Sequence, residues 1–176
     1  MTTDGSRERG APRGRSFLAM IFATRPGARA NDLALAALRL ALAWIFVYYG
    51  AGKLFGAFNG PGIHNTAIFF SDTAHLRPGG LFAVLGGVIE FGGAIAMALG
   101  LASRLAALAL LGDQVMAMIT VTWVNGINSE SLTPGYEFNV ALAVMALVIV
   151  LLGPGRVSVD GLIERRLART SRTNAP

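Results

Sequence analysis

Four apolar runs, at 33–54, 81–102, 104–124 and 135–152, constrain this chain more than any other feature. Crossing about 30 Å of hydrocarbon takes about 20 helical residues at ~1.5 Å each. The first three runs reach that length. The fourth has 15 residues from Phe138 to Leu152, and needs its first turn from Pro134 onward to span. Apolar residues follow one another without alternation and no barrel-type repeat occurs, so the spans are helical. Only 14% of residues are charged, against about 25% in an ordinary soluble domain, and mean hydropathy is +0.55. The expected fold is all-α, a polytopic membrane four-helix bundle.

The charges set its expected orientation. Arg7, Arg9, Arg13, Arg15, Arg25 and Arg29 precede the first run, Arg104 lies between the second and third, and Arg156, Arg165, Arg166, Arg169 and Arg172 follow the fourth. All of these fall on one side of a four-helix threading. Only Lys53 and Arg77 fall on the other, and Arg39 lies within the first run. By the positive-inside rule both termini are cytoplasmic, giving a multi-pass cell-membrane protein. The basic tails then serve as topology signals and contacts to anionic lipid headgroups, not as nucleic-acid binders, despite a pI near 10.7. The chain has no cysteine, which excludes disulfides, thiolate chemistry and covalent c-type haem attachment by this chain. Two histidines without clustered partners make no metal site.

Along the chain, residues 1–32 read as a disordered basic tail, with "FLAMIFA" at 17–23 too short to span and suited to the membrane surface. Arg25 and Arg29 after that stretch argue against a cleaved signal peptide. Residues 33–155 hold the bundle and 156–176 a second basic tail. Asn31 or Asp32 is placed to cap the first helix. "NGPG" at 59–62 opens a loop, and 63–76 is expected to form a short interfacial helix with Ile63, Ala67 and Phe70 on one face. Ala102-Ser103-Arg104 makes the second and third helices an antiparallel hairpin. Pro134 suits the first turn of the fourth helix, capped by Thr133, and "GPG" at 153–155 ends it.

Within "GGVIEFGGAIAMALG" (86–100), Glu90 is the one ionisable residue. Gly86, Gly87, Gly93 and Ala94 lie three and four residues to either side, so helical periodicity puts them on the same face. Small residues mark close helix packing in membranes, and Glu90 therefore points into the bundle. An intramembrane acid is either functional or a paired structural group. At ~1.5 Å per residue, Glu90 sits roughly 20 Å above the Ser103 turn, Asp113 roughly 14 Å, Arg39 roughly 9 Å and Lys53 roughly 30 Å above Leu33. Those depths favour an Arg39–Asp113 pair, with Lys53 reaching down towards Glu90. Arg39, Ala43, Phe46, Gly50 and Lys53 share a stripe that faces the interior. With Glu137 in the first turn of the fourth helix, Lys53 and Glu90 are expected to frame a polar pocket opening outward. His64, Trp123 and Tyr136 are weaker candidates. Trp123 and Tyr136, with Tyr49, suit an aromatic belt, and His64 and His75 read as loop residues.

Together "RLALAWIFVYYGAGKLFGAFNGPG", "TAIFF", "VIEFGGAIAMALGLASRLAAL" and "GYEFNVALAVMALVIVLLGPGRVSVD" resemble the DoxX family of small four-helix membrane proteins over about residues 38–162. The ordered set carries the resemblance: arginine then glycines and lysine in the first helix, Glu-Phe-Gly-Gly in the second, the Ser-Arg turn, and Gly-Tyr-Glu-Phe before a last helix ending Gly-Pro-Gly. It implies an oxidoreductase label, because relatives include a subunit of an archaeal thiosulfate:quinone oxidoreductase, and links to oxidative-stress and thiol-handling complexes. The matching positions are Arg39, Lys53, Glu90 and Glu137. On that basis the chain is expected to be a quinone-interacting or redox-associated membrane subunit with a redox-enzyme partner, Glu90 acting as proton donor and acceptor. Two other classes remain open: a non-catalytic scaffold docking soluble redox enzymes through its basic tails, and a small proton-coupled carrier working as a homo-oligomer through the glycine face.

Overall fold

The structure, a computed structural model, describes residues 27–127 and 135–173. Those residues are helical apart from short connections, with no strand among them. Helix α1 (Ala28–Phe55) is rich in Ala and Leu, strong helix formers. It stops at Gly56, where φ is +70° and the N–H bonds back to the carbonyls of Ala51 and Gly52. A tight turn at Ala57–Asn59 leads into α2 (Gly62–Asp72). Helix α3 (Gly79–Leu99) ends at left-handed Gly100. Helix α4 (Ser103–Ala117) continues through a wide π turn at Met118–Thr122 and a 3-10 turn at Trp123–Asn125. Helices α5 (Glu137–Leu152) and α6 (Val159–Thr173) complete the chain.

Three helical stretches are long and apolar enough to cross a membrane: Ala28–Phe55, Gly79–Leu99 and Ser103–Asn125. Helix α5, with 16 residues, is apolar but shorter. The four share one core, with Leu35, Leu42 and Phe46 from α1, Ala94 and Met97 from α3, Ala107 and Leu110 from α4, and Leu142 and Ile149 from α5. Lipid is as apolar as leucine, so close backbone packing, not hydrophobic burial, has to hold such helices together. Gly50 shows how close they come. A Cβ there would lie 2.8 Å from the Phe91 Cα of α3. Gly86, Gly87, Glu90 and Ala94 form the buried face of α3, and a Cβ on Gly87 would meet Leu54 of α1.

Several local expectations change. Helix α1 starts at Ala28, behind Gly27, so residues 28–32 are helical and neither Asn31 nor Asp32 caps it. Asp32 instead accepts the Arg156 N–H at 2.9 Å, fastening the chain after α5 to the start of α1. On α2 the buried position is Thr66, with Ile63 exposed, because the helix turns towards α3 through Ala67 and Phe70 and Gly79 packs against the Ala67 carbonyl. The second basic segment is not featureless, since α6 occupies most of it. The 17–23 segment, Thr133 and Pro134 lie outside the described residues.

Candidate functional site

At the α2 end of the bundle, α1 brings Lys53, α3 brings Glu90, and α4 brings Asp113 and Gln114 to the floor of one cavity of about 610 Å³. The glycine face of α3 aims Glu90 inward, where it is 3% exposed. Lys53 Nζ donates to Glu90 Oε1 at 2.6 Å. The other carboxylate oxygen, Oε2, is buried with no hydrogen-bond partner among the described residues. Asp113 interacts with both Glu90 and Lys53. Two acids therefore face one ammonium group on the floor of this cavity.

A chain of hydrogen bonds extends from this cluster. Gln114 Nε2 donates to Asp113 Oδ2 at 3.0 Å, Asn139 Nδ2 to Gln114 Oε1 at 2.9 Å, and Thr122 Oγ1 to Asn139 Oδ1 at 3.0 Å. Thr122 closes the π turn of α4. Such a turn widens the helix, and insertions of this kind recur at functional sites. Above the polar floor the walls are aromatic: Phe46, Tyr48 and Tyr49 of α1, Phe58, Phe69 and Phe70 around α2, and Phe138 of α5. Tyr48 stacks on Phe58 with centroids 5.2 Å apart, and Tyr49 meets Phe138 at 6.2 Å. An apolar volume with a few convergent polar groups is the usual form of a small-molecule site.

The other sequence candidates lie elsewhere. Arg39 does not pair with Asp113. Its Nη2 donates to the Val157 carbonyl at 2.7 Å, at the opposite end of the bundle, and its guanidinium lies against Gly100 and Ser158. Depth along separate helices missed this, because the chain after α5 folds back across the bundle end and supplies the acceptor. Arg39 does share the buried stripe of α1 with Ala43, Phe46 and Gly50, while Lys53 is half-buried. Glu137 is not among the cavity's lining residues, and its Oε2 is buried with no hydrogen-bond partner among the described residues. Trp123 and Tyr136 stack on each other with centroids 5.2 Å apart, outside the cavity. His64 is exposed on α2, and His75 lies in the connection to α3. No group of three or more His, Cys, Asp or Glu placed to hold a metal occurs among the described residues. Gln114, Asn139 and Thr122 belong to the site but are not among the sequence candidates. Gln114 and Asn139 each stand as a polar residue inside an apolar run, which is the signal that marks them.

Residues 34–123 match the family model DoxX. The chain belongs to the DoxX family. A second family model, described as TQO small subunit DoxD, matches residues 79–175. No curated protein and no solved structure matches. The DoxX match runs from the second turn of α1 to just past the π turn of α4 and takes in Lys53, Glu90, Asp113 and Gln114, while Asn139 falls within the DoxD match. The DoxX-family chain is thus a membrane protein, with its buried polar cluster inside the matched region.

Proposed function

We propose that this membrane protein binds a quinone headgroup in the cavity at the α2 end and handles its protons, as one subunit of a redox complex. The carrying observation is the Lys53–Glu90–Asp113 cluster at the floor of an aromatic cavity. If both acids were ionised beside one lysine, the cluster would hold an excess negative charge away from water, which is costly. A proton held between Glu90 and Asp113 removes that charge, so the pair is a place where a proton is kept and given up. Reduction of a quinone to its quinol takes two electrons and two protons. This chain's part is the protons, through Glu90, with Gln114 and Asn139 holding Asp113 in place. The electrons come from a partner enzyme. That partner is supported by the DoxD match, whose description names a subunit. In this reading α5 is a fourth span beside the other three and both termini are cytoplasmic, which the arginine distribution supports.

The test is quinone content and binding. Protein purified in mild detergent should carry extractable quinone, or bind an added short-chain quinone. Glu90→Gln should weaken that binding about tenfold, the loss of ~1.4 kcal/mol expected from one buried polar contact. A wild-type protein that neither carries nor binds quinone overturns the reading, as does unchanged binding in Glu90→Gln.

A further inference from the structure

The last helix, α6, is turned the opposite way from a surface helix of a water-soluble domain. At its start, Asp160 and the buried Gly161 face the bundle. Asp160 accepts the N–H groups of Ala102 and Ser103 at 2.8 and 2.9 Å, and its own N–H donates to the Gly100 carbonyl at 2.9 Å. Gly161 is buried and donates to Ser158 Oγ at 3.0 Å. Arg165 bonds to the carbonyls of Gly161 and Arg156, both at 2.8 Å. The Asp160 contacts fix the start of the helix against the ends of α3 and α4, and the bonds of Gly161 and Arg165 hold the segment before it to its first turn. By its 3.6-residue period, Leu162 and Ile163 then fall on the side away from the bundle, where they are 55% and 46% exposed. Val157, just before the helix, is 63% exposed.

We infer that α6 lies in the surface of an anionic bilayer, its apolar edge entering the headgroup–acyl boundary and its arginines binding lipid phosphates. Three observations favour lipid over a protein partner. Apolar side chains are exposed at this end of the bundle as well: Leu105 and Leu152, at the ends of α4 and α5, line the groove between the bundle and the Asp160 side of α6. Arg29, Arg104, Arg156 and Arg166 are all exposed at this end. Of the described carboxylates there, Asp32 and Asp160 are taken up by backbone N–H groups, which leaves Glu164. An apolar edge flanked by arginines is the pattern of helices that lie in the plane of a membrane surface. This inference does not depend on the quinone reading.

The chain has no cysteine, so single Leu162→Cys and Glu164→Cys variants of the full chain take one polarity-sensitive dye each. They are reconstituted into phosphatidylcholine vesicles with or without phosphatidylglycerol. With phosphatidylglycerol present, the Leu162 dye should shift to the blue and be quenched by shallow nitroxide lipids, while the Glu164 dye stays wet. Adding Arg166→Gln should lower the inserted-to-free ratio roughly fivefold, the effect of about one surface arginine. A Leu162 dye as wet as the Glu164 dye in anionic vesicles overturns the inference. So does shielding that appears only when a soluble protein is added, which would make the edge a protein-docking face.

Discussion

The Lys53–Glu90 contact is short and mostly withdrawn from water, with the lysine side chain 25% exposed and the glutamate side chain 4%. Removing one member of such a pair strands the other, at a cost of about 3–5 kcal/mol. Lys53→Met alone should therefore lower the thermal midpoint in detergent markedly. The double variant Lys53→Met/Glu90→Gln, which removes both charges, should recover most of that loss while still failing to bind quinone. A double variant no more stable than the single would show that the contact contributes little beyond packing. The sequence made this pair legible because both residues sit on helices whose facing side is marked, by small residues on α3 and by the Arg39-to-Gly50 stripe on α1. Arg39 was misplaced because its acceptor, the Val157 carbonyl, is a main-chain group on a segment with no periodicity to read. Gln114 was missed because its role depends on Asn139, 25 residues away.

Elements at the α6 end are joined by backbone groups more than by side-chain packing. Ala102 has φ of +47° at the head of α4 and offers no side-chain cap there. The Asp160 carboxylate supplies that cap from the other end of the chain. Burial pushes its carboxyl up, but the bonds from Ser103 and Ala102, with the Arg39 charge, outweigh that and hold it below the usual carboxylate range. A carboxyl lowered in this way stabilises the folded state at pH above its unfolded value of about 4, and loses that contribution as pH falls through the lowered value. Asp160→Asn should cost about 1 kcal/mol, typical of a lost helix cap, and should flatten the acid limb of stability against pH. Hydrogen exchange at Ala102 and Ser103 reports it directly: the two amides should exchange faster in the variant. Equal protection in both proteins would mean that the docking of α6 rests on Arg39 and Gly100 instead. The hairpin between α3 and α4 was legible from its length, but the cap was not, since the two partners lie more than 50 residues apart.

Across the whole molecule, unequal helices make the cavity. Helix α5 has 16 residues against 28 in α1, or about 24 Å against about 42 Å of length. At the α6 end Ile149 of α5 is in the core. At the other end α5 stops short, and the space beside α1 is roofed by the 57–61 turn and α2, which line the cavity together with Phe138 and Asn139. In the proposed orientation, with the α6 end cytoplasmic, the cavity lies in the outer half of the membrane and would take its protons from that side. Asp72, exposed at the end of α2, and Glu164, exposed on α6, stand at the two ends of the molecule. In intact cells a membrane-impermeant thiol reagent should label Asp72→Cys at once and Glu164→Cys only after permeabilisation. The reverse pattern would put both termini outside and turn the cavity towards the cytoplasm, and protons for Glu90 would then be drawn from within the cell.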